Sequence, residues 1–278
     1  MKNKKSQSLL AYPYVIWSLI FIVAPILIIL ILSFFKTTNG ETIFSLDNYK
    51  KILNPTYLNI FLHSIVLAFI STVLCLILGY PVAYIISKYN LKKRNILILL
   101  FILPMWMNFL IRTYAWMAIL NTNGILNNIL GIFGISPVKF LYTEGAVLLG
   151  MVYNFLPFMV IPIYTVLIKL DQTLIEASYD LGATKFQTFK KVIFPLSLPG
   201  VISGITMVFM PAVSTFVISR LLGGSKYLLV GNLIEQEITA VGDWNLGSSL
   251  AIFMMILILI SMAFMTKYEK KYAGKDWL

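Results

Sequence analysis

The sequence has 278 residues, 59% of them hydrophobic and only 12% charged. A soluble domain carries about 25% charged residues, so the composition excludes an ordinary water-soluble globule, and the apolar content excludes an intrinsically disordered chain. Lys and Arg number 22 against 11 Asp and Glu; because the basic residues flank apolar runs, the excess reads as membrane topology and no nucleic-acid partner is expected.

The predicted fold is an all-α polytopic membrane protein with six transmembrane helices. In chain order the apolar stretches are 11–35, 61–87, 96–120, 145–168, 192–219 and 246–266, each long enough for a hydrocarbon core that takes about 20 residues. The first follows Lys2, Lys4 and Lys5; it is too long for a secretory leader and has no small-residue cleavage site, so it is expected to be retained. None of the six stretches holds an Asp or Glu, and Arg112 is their single full charge. Prolines recur in them, as membrane helices tolerate when neighbours re-satisfy the freed backbone groups.

With the N-terminus inside, the inner segments collect Lys2, Lys4, Lys5, Lys88, Lys92, Lys93, Arg94, Lys169, Lys185, Lys190, Lys191, Lys267, Lys270, Lys271 and Lys275. The outer segments hold Lys36, Lys50, Lys51, Lys139, Arg220 and Lys226. That bias predicts both termini in the cytoplasm. The chain then reads as a tail, first helix and outer connection over 1–60, a five-helix core over 61–266 with a cytoplasmic loop near 170–191, and a cytoplasmic tail over 267–278.

Absences narrow the chemistry. There is no GxxxxGK[ST] phosphate loop, no HExxH and no GxSxG elbow. The single Cys75 and single His63 form neither an intrachain disulfide nor a Cys/His metal cluster, so no catalytic residue and no metal are expected. An ion-coupled carrier usually keeps an ionisable relay in the membrane; the lack of any carboxylate in the spans counts against it. Transport driven by a separate ATPase needs no such relay.

The loop between the fourth and fifth spans carries the most information. Thr173 with Glu176 reads as a capping box, Gly182 as a left-handed helix stop, and Thr184 with Gln187 as a second capping box. Two short helices joined at Gly182 follow. Leu174, Ala177 and Leu181 share one face of the first, and Phe186, Phe189 and Ile193 one face of the second. Such a face must pack on the bundle, lie in the lipid interface or fit a partner's groove.

Glu176-Ala177-Ser178, Gly182 at its fixed offset, then Ile193 and Pro195 resemble the EAA signature of type I ABC-importer permeases, with Ser178 for the second alanine and Phe194 where leucine is usual. Further stretches resemble the spermidine/putrescine branch of that family: Leu110-Ile-Arg-Thr-Tyr114, Leu156-Pro-Phe-Met159, Leu222-Gly-Gly-Ser-Lys226 and Asp243-Trp244 among them. Arg220 stands where some polyamine relatives have an acid. The resemblance implies a permease subunit of the bacterial plasma membrane working by alternating access. Its partners would be two copies of an ATPase, which would hold ATP and Mg, a second homologous permease, an extracytoplasmic polyamine-binding protein and membrane lipid. It makes Glu176, Ala177, Ser178, Leu181, Gly182, Ala183, Phe186, Phe189 and Pro195 the ATPase-coupling loop.

A polyamine path calls for aromatic faces. The candidates are Trp106, Tyr114, Trp116, Tyr153, Phe155 and Tyr164, set against the general preference of Trp and Tyr for membrane interfaces. Glu235, Glu237 and Asp243 are the candidates for an outer mouth or a binding-protein dock, and Arg112 for ordering the outer gate. The alternatives are a permease for another small organic solute and an ion-coupled carrier.

Overall fold

A computed structural model describes residues 12–38 and 41–273; Lys2, Lys4, Lys5 and Lys275 lie outside the described residues. The chain divides into two compact units, Met1–Asn59 with Leu233–Leu257 and Ile60–Asn232 with Ile258–Leu278.

The first unit contains α1 (Tyr12–Ser33), a hairpin of β1 (Phe35–Thr38) and β2 (Glu41–Phe44), and α2 (Asp47–Ile52). None of the apolar side chains of α1 is buried within the chain, as befits a helix that is hydrophobic all round. Its π turn at Leu19–Val23 precedes Pro25, which has no N–H to continue the ladder. The hairpin, a departure from the all-α expectation, pairs Phe35 with Phe44 and Lys36 with Ile43; threonine and isoleucine suit a pleated ribbon. The Tyr49 hydroxyl donates to Ser33 Oγ at 2.8 Å. Lys36 lies 3.3 Å from Asp47 and, by hydrogen bonding and charge, holds its carboxyl below the usual carboxylate range.

The second unit is built on α3 (Pro55–Ser87), α7 (Glu144–Leu167) and α9 (Lys185–Ser214). Leu67, Cys75, Met151, Met159, Ile163 and Val208 form the fully buried heart of its core. Where α7 and α9 meet, a Cβ on Gly200 would stand 2.8 Å from the Pro162 carbonyl oxygen, and one on Gly204 2.7 Å from Met159 Sδ. The glycine pair therefore serves packing within this chain.

The third predicted span is not one straight helix. α4 (Leu91–Ile102), continued by a 3₁₀ turn to Trp106, and α5 (Phe109–Leu120), which leads into α6 (Ile125–Ile132), together meet the requirements of a span but bend by 91°. Pro104 removes a backbone donor, and the Asn108 side chain accepts the Leu110 N–H at 2.8 Å, starting a fresh helix. With α12 (Trp244–Ala273), the described residues hold five helices long and apolar enough to cross a membrane, or six with this bent pair. The fifth span also differs: α9 begins at Lys185 and ends at Ser214, and α10 (Val217–Gly223) follows an extended Thr215.

Candidate coupling surface and translocation-path residues

The loop after α7 folds into α8 (Gln172–Asp180) and the first turns of α9. Asp171, not Thr173, caps α8, its carboxylate accepting the Thr173 N–H at 2.9 Å. A carboxylate at the N-cap also meets the positive end of the helix dipole, so the Thr173–Glu176 capping box does not form. The Thr184–Gln187 box does, with both reciprocal hydrogen bonds present. Gly182 has φ +79°, its N–H donates to Tyr179 O and that of Ala183 to Ser178 O. This is a Schellman stop, whose left-handed residue is best supplied by glycine.

Ser178 and Thr188 are buried and pin the two helices together. The Ser178 hydroxyl gives its proton to Ile175 O at 2.9 Å, so Thr188 Oγ1, 2.8 Å away, donates to it. Serine at the second alanine position thus makes a bond that alanine cannot, and Thr188 is a partner that motif reading missed. Leu174, Ala177 and Leu181 face away from the bundle, Leu181 with 89% of its surface exposed. Glu176 is exposed beside them.

The second expected stripe divides. Phe186 is 72% exposed, whereas Phe189 packs edge-on against Tyr80 and Tyr84 at 5.7 and 5.5 Å and Ile193 is buried. Up to Phe189, whose N–H donates to Lys185 O, the turn is α-helical, so the stripe divides along the chain: Phe186 stands on the first turn at the tip and Phe189 one turn on, against α3. A π turn at Phe189–Ile193 follows, two residues before Pro195. Tyr80 also donates to Ser197, whose own proton goes to Phe194 O. The base of the loop is thereby fixed to α3 by an aromatic cluster, while its tip presents apolar side chains outward.

Of the path candidates, the structure brings together Trp116 and Tyr153, and sets Arg112, the candidate for the outer gate, beside Tyr153. The Trp116 and Tyr153 rings meet at 5.3 Å, and the Arg112 guanidinium sits 5.9 Å from the Tyr153 ring centre. Arg112 is 9% exposed, its Nε is enclosed without a hydrogen-bond partner, and among the described residues it forms no ion pair. Trp106 and Tyr114 are exposed, and Phe155 and Tyr164 lie in the hydrophobic core.

In the other unit, α11 (Val230–Gln236) runs into a π turn at Glu237–Val241. Asp243 accepts the Leu246 N–H at 2.9 Å and caps α12. Burial pushes the Glu237 carboxyl above its usual range, and the charge of Asp243 adds to the shift against a smaller opposing effect of Lys51.

Residues 76–274 match the family described as binding-protein-dependent transport system inner membrane component. The chain belongs to this family. It is 40% identical over 264 residues to the spermidine/putrescine transport system permease protein PotB of Salmonella typhimurium strain SL1344, covering 93% of this chain and 92% of that one. It is 41% identical over 247 residues to PotB of Escherichia coli K12, covering 87% and 90%. The fold resembles a solved bacterial ABC transporter involved in import of the acidic polysaccharide alginate, with TM-score 0.82, 16% identity and coverage of 97% and 96%. As a member of the family, the chain is a membrane-embedded permease subunit, and its relatives are transport components rather than enzymes. The family match takes in the loop between α7 and α9, the Arg112 cluster and the aromatic anchor of Tyr80, and starts after α1.

Proposed function

We propose that the chain forms one half of the membrane path of an ATP-driven polyamine importer. The observation that carries this reading is the outward apolar surface of Leu174, Ala177, Leu181 and Phe186, held on a built Schellman turn. The substrate class rests on the 40% identity to a spermidine/putrescine permease across nearly the whole chain.

In this reading both termini and the α8–α9 loop face the cytoplasm. Each of two ATPase copies, holding ATP and Mg, seats a permease's loop in a groove. A second homologous permease completes the path, and an extracytoplasmic binding protein delivers the substrate. When the ATPases close, α8 moves with them. The Ser178–Thr188 bond keeps the start of α9 in step, and Phe189 passes the displacement to Tyr80 and Tyr84 on α3. The bundle then changes from inward- to outward-facing access.

A polyamine presents ammonium groups on an apolar methylene chain, for which aromatic faces supply cation–π and stacking contacts. Trp116 and Tyr153 are paired faces, and the Tyr153 ring lies beside Arg112. The guanidinium repels a polycation unless a carboxylate neutralises it, so Arg112 orders the outer gate through an acid from the second permease. Glu235, Glu237 and Asp243 gather cations at the mouth or dock the binding protein.

The test is spermidine uptake into proteoliposomes holding the chain with its co-purified subunits, with the binding protein outside. Uptake that requires internal ATP is expected. Binding-protein-stimulated ATP hydrolysis without spermidine uptake would keep the machine and replace the solute by another small organic one. Uptake that follows an ion gradient without ATP would establish a secondary carrier instead.

A further inference from the structure

Beside the coupling helix, and apart from the path residues, lies a hollow of about 430 Å³. The end of α3, the start of α4, the end of α7 and the inner face of α8 enclose it. Its charged lining consists of Lys88 and Arg94, with no carboxylate among the lining residues. Lys88 is stacked 4.1 Å from the centre of the Tyr84 ring. Arg94 has an enclosed Nε without a hydrogen-bond partner. Among the described residues neither cation forms an ion pair. Two cations facing one cavity repel each other, and an enclosed guanidinium donor without an acceptor costs free energy. Both defects are removed by an anion with several oxygens, which guanidinium recognises by paired hydrogen bonds.

A second hollow on the same two helices indicates the source of that anion. A groove of about 510 Å³ between α3 and α4 is lined by Val82, Ile85, Ile86, Leu97, Leu100 and Phe101 together with Tyr89. A basic cavity at the turn between two apolar helices, flanked by an apolar groove, matches a phospholipid's headgroup and acyl chain. We propose that this is a site for an anionic phospholipid, its phosphate between Lys88 and Arg94 and an acyl chain in the α3–α4 groove. Ile175 and Tyr179 of α8 line the headgroup cavity, so a bound lipid forms part of the floor on which the coupling helix rests. That last consequence rests on the role proposed for α8; the binding itself does not.

The test is native mass spectrometry of the chain purified with its partner subunits, after exchange into micelles containing phosphatidylglycerol or phosphatidylcholine. The expected result is retention of phosphatidylglycerol over phosphatidylcholine by about tenfold. A Lys88→Gln, Arg94→Gln double variant should lose that preference. A Lys92→Gln, Lys93→Gln variant, which removes the same charge outside the cavity, should keep it. Loss of the preference in both doubles would reduce the effect to diffuse surface charge and overturn the site. Displacement of the lipid by millimolar inorganic phosphate would make this a free-phosphate site and overturn the lipid assignment. An intact lipid preference in the Lys88, Arg94 double variant, with loss of the co-purified ATPase, would make the cavity a protein contact and overturn it too. Lipid retention is read without transport, so a wrong solute or driving force leaves this test unaffected.

Discussion

The seam between α7 and α9 and the loop that joins those same helices are finished to different degrees. Along the seam, Gly200 and Gly204 let α9 approach the α7 backbone, and the surrounding side chains are buried. In the loop, polar pins are buried while Leu181 and Phe186 stand exposed. The seam is complete within one chain. The loop has a fixed shape and an unfilled apolar surface, as expected of an element that completes its packing on another protein. Arg112 is the electrostatic counterpart, a buried cation whose counter-charge the described residues do not supply.

Two glycines separate these cases most sharply. Gly200→Val forces a branched side chain onto Pro162 O and the Ile163 backbone, and should destabilise the chain by about 3 kcal/mol or more, read as a lower melting temperature in detergent. At Gly182 a Cβ would meet nothing within 4 Å, but φ is +79°. Gly182→Val should therefore cost about 1–2 kcal/mol through the left-handed backbone alone. Its chief effect should be on transport: binding-protein-stimulated ATP hydrolysis should no longer drive uptake, while the bundle stays folded. Equal effects of the two substitutions on melting would erase the distinction between seam and loop.

Arg112→Leu should give opposite signs in two preparations. In the isolated chain it removes an unpaired buried charge and should stabilise by about 2 kcal/mol. In the assembled complex it leaves the proposed partner acid unpaired and should weaken assembly and uptake. Normal assembly and normal uptake in this variant would sink the gate role.

The smallest effect concerns Glu237. Burial and Asp243 raise its carboxyl above the usual range, so the folded protein takes up this proton at a higher pH than the unfolded chain. The stability this group contributes is therefore fully present below its unfolded-state pKa and is lost as pH rises through the raised value. The cation attraction proposed for the mouth runs the other way, fading as Glu237 is protonated. Uptake should fall on acidification starting above the ordinary carboxylate range, and Glu237→Gln should flatten that part of the profile. An unchanged profile would remove Glu237 from the mouth.

What the sequence disclosed depended on how local the cause was. The Gly182 stop and the Thr184–Gln187 box involve neighbouring residues, and both were readable. Asp171 displaced Thr173 as cap because two N-cap residues stood close together and only one start could be used. The division between Phe186 and Phe189 was hidden because a 3.6-residue period puts both on one face but does not say how far along that face the bundle reaches: Phe189 meets Tyr80 and Tyr84, while Phe186, on the first turn, is exposed. Pro104 was visible, but the 91° bend also needed Asn108 to begin a new helix. Apolar runs disclosed the spans; composition alone does not say which aromatics share a neighbourhood, and only the fold joined Trp116 and Tyr153 to Arg112.

The most direct test of the account is co-purification of the ATPase with a Leu181→Glu, Phe186→Glu variant. Both side chains are exposed, so the melting temperature of the isolated chain should be unchanged. The ATPase should be lost from the purified complex, and ATP-dependent uptake should disappear with it. A full complement of ATPase on a chain carrying two glutamates in this surface would contradict the account, and the coupling site would have to be sought elsewhere.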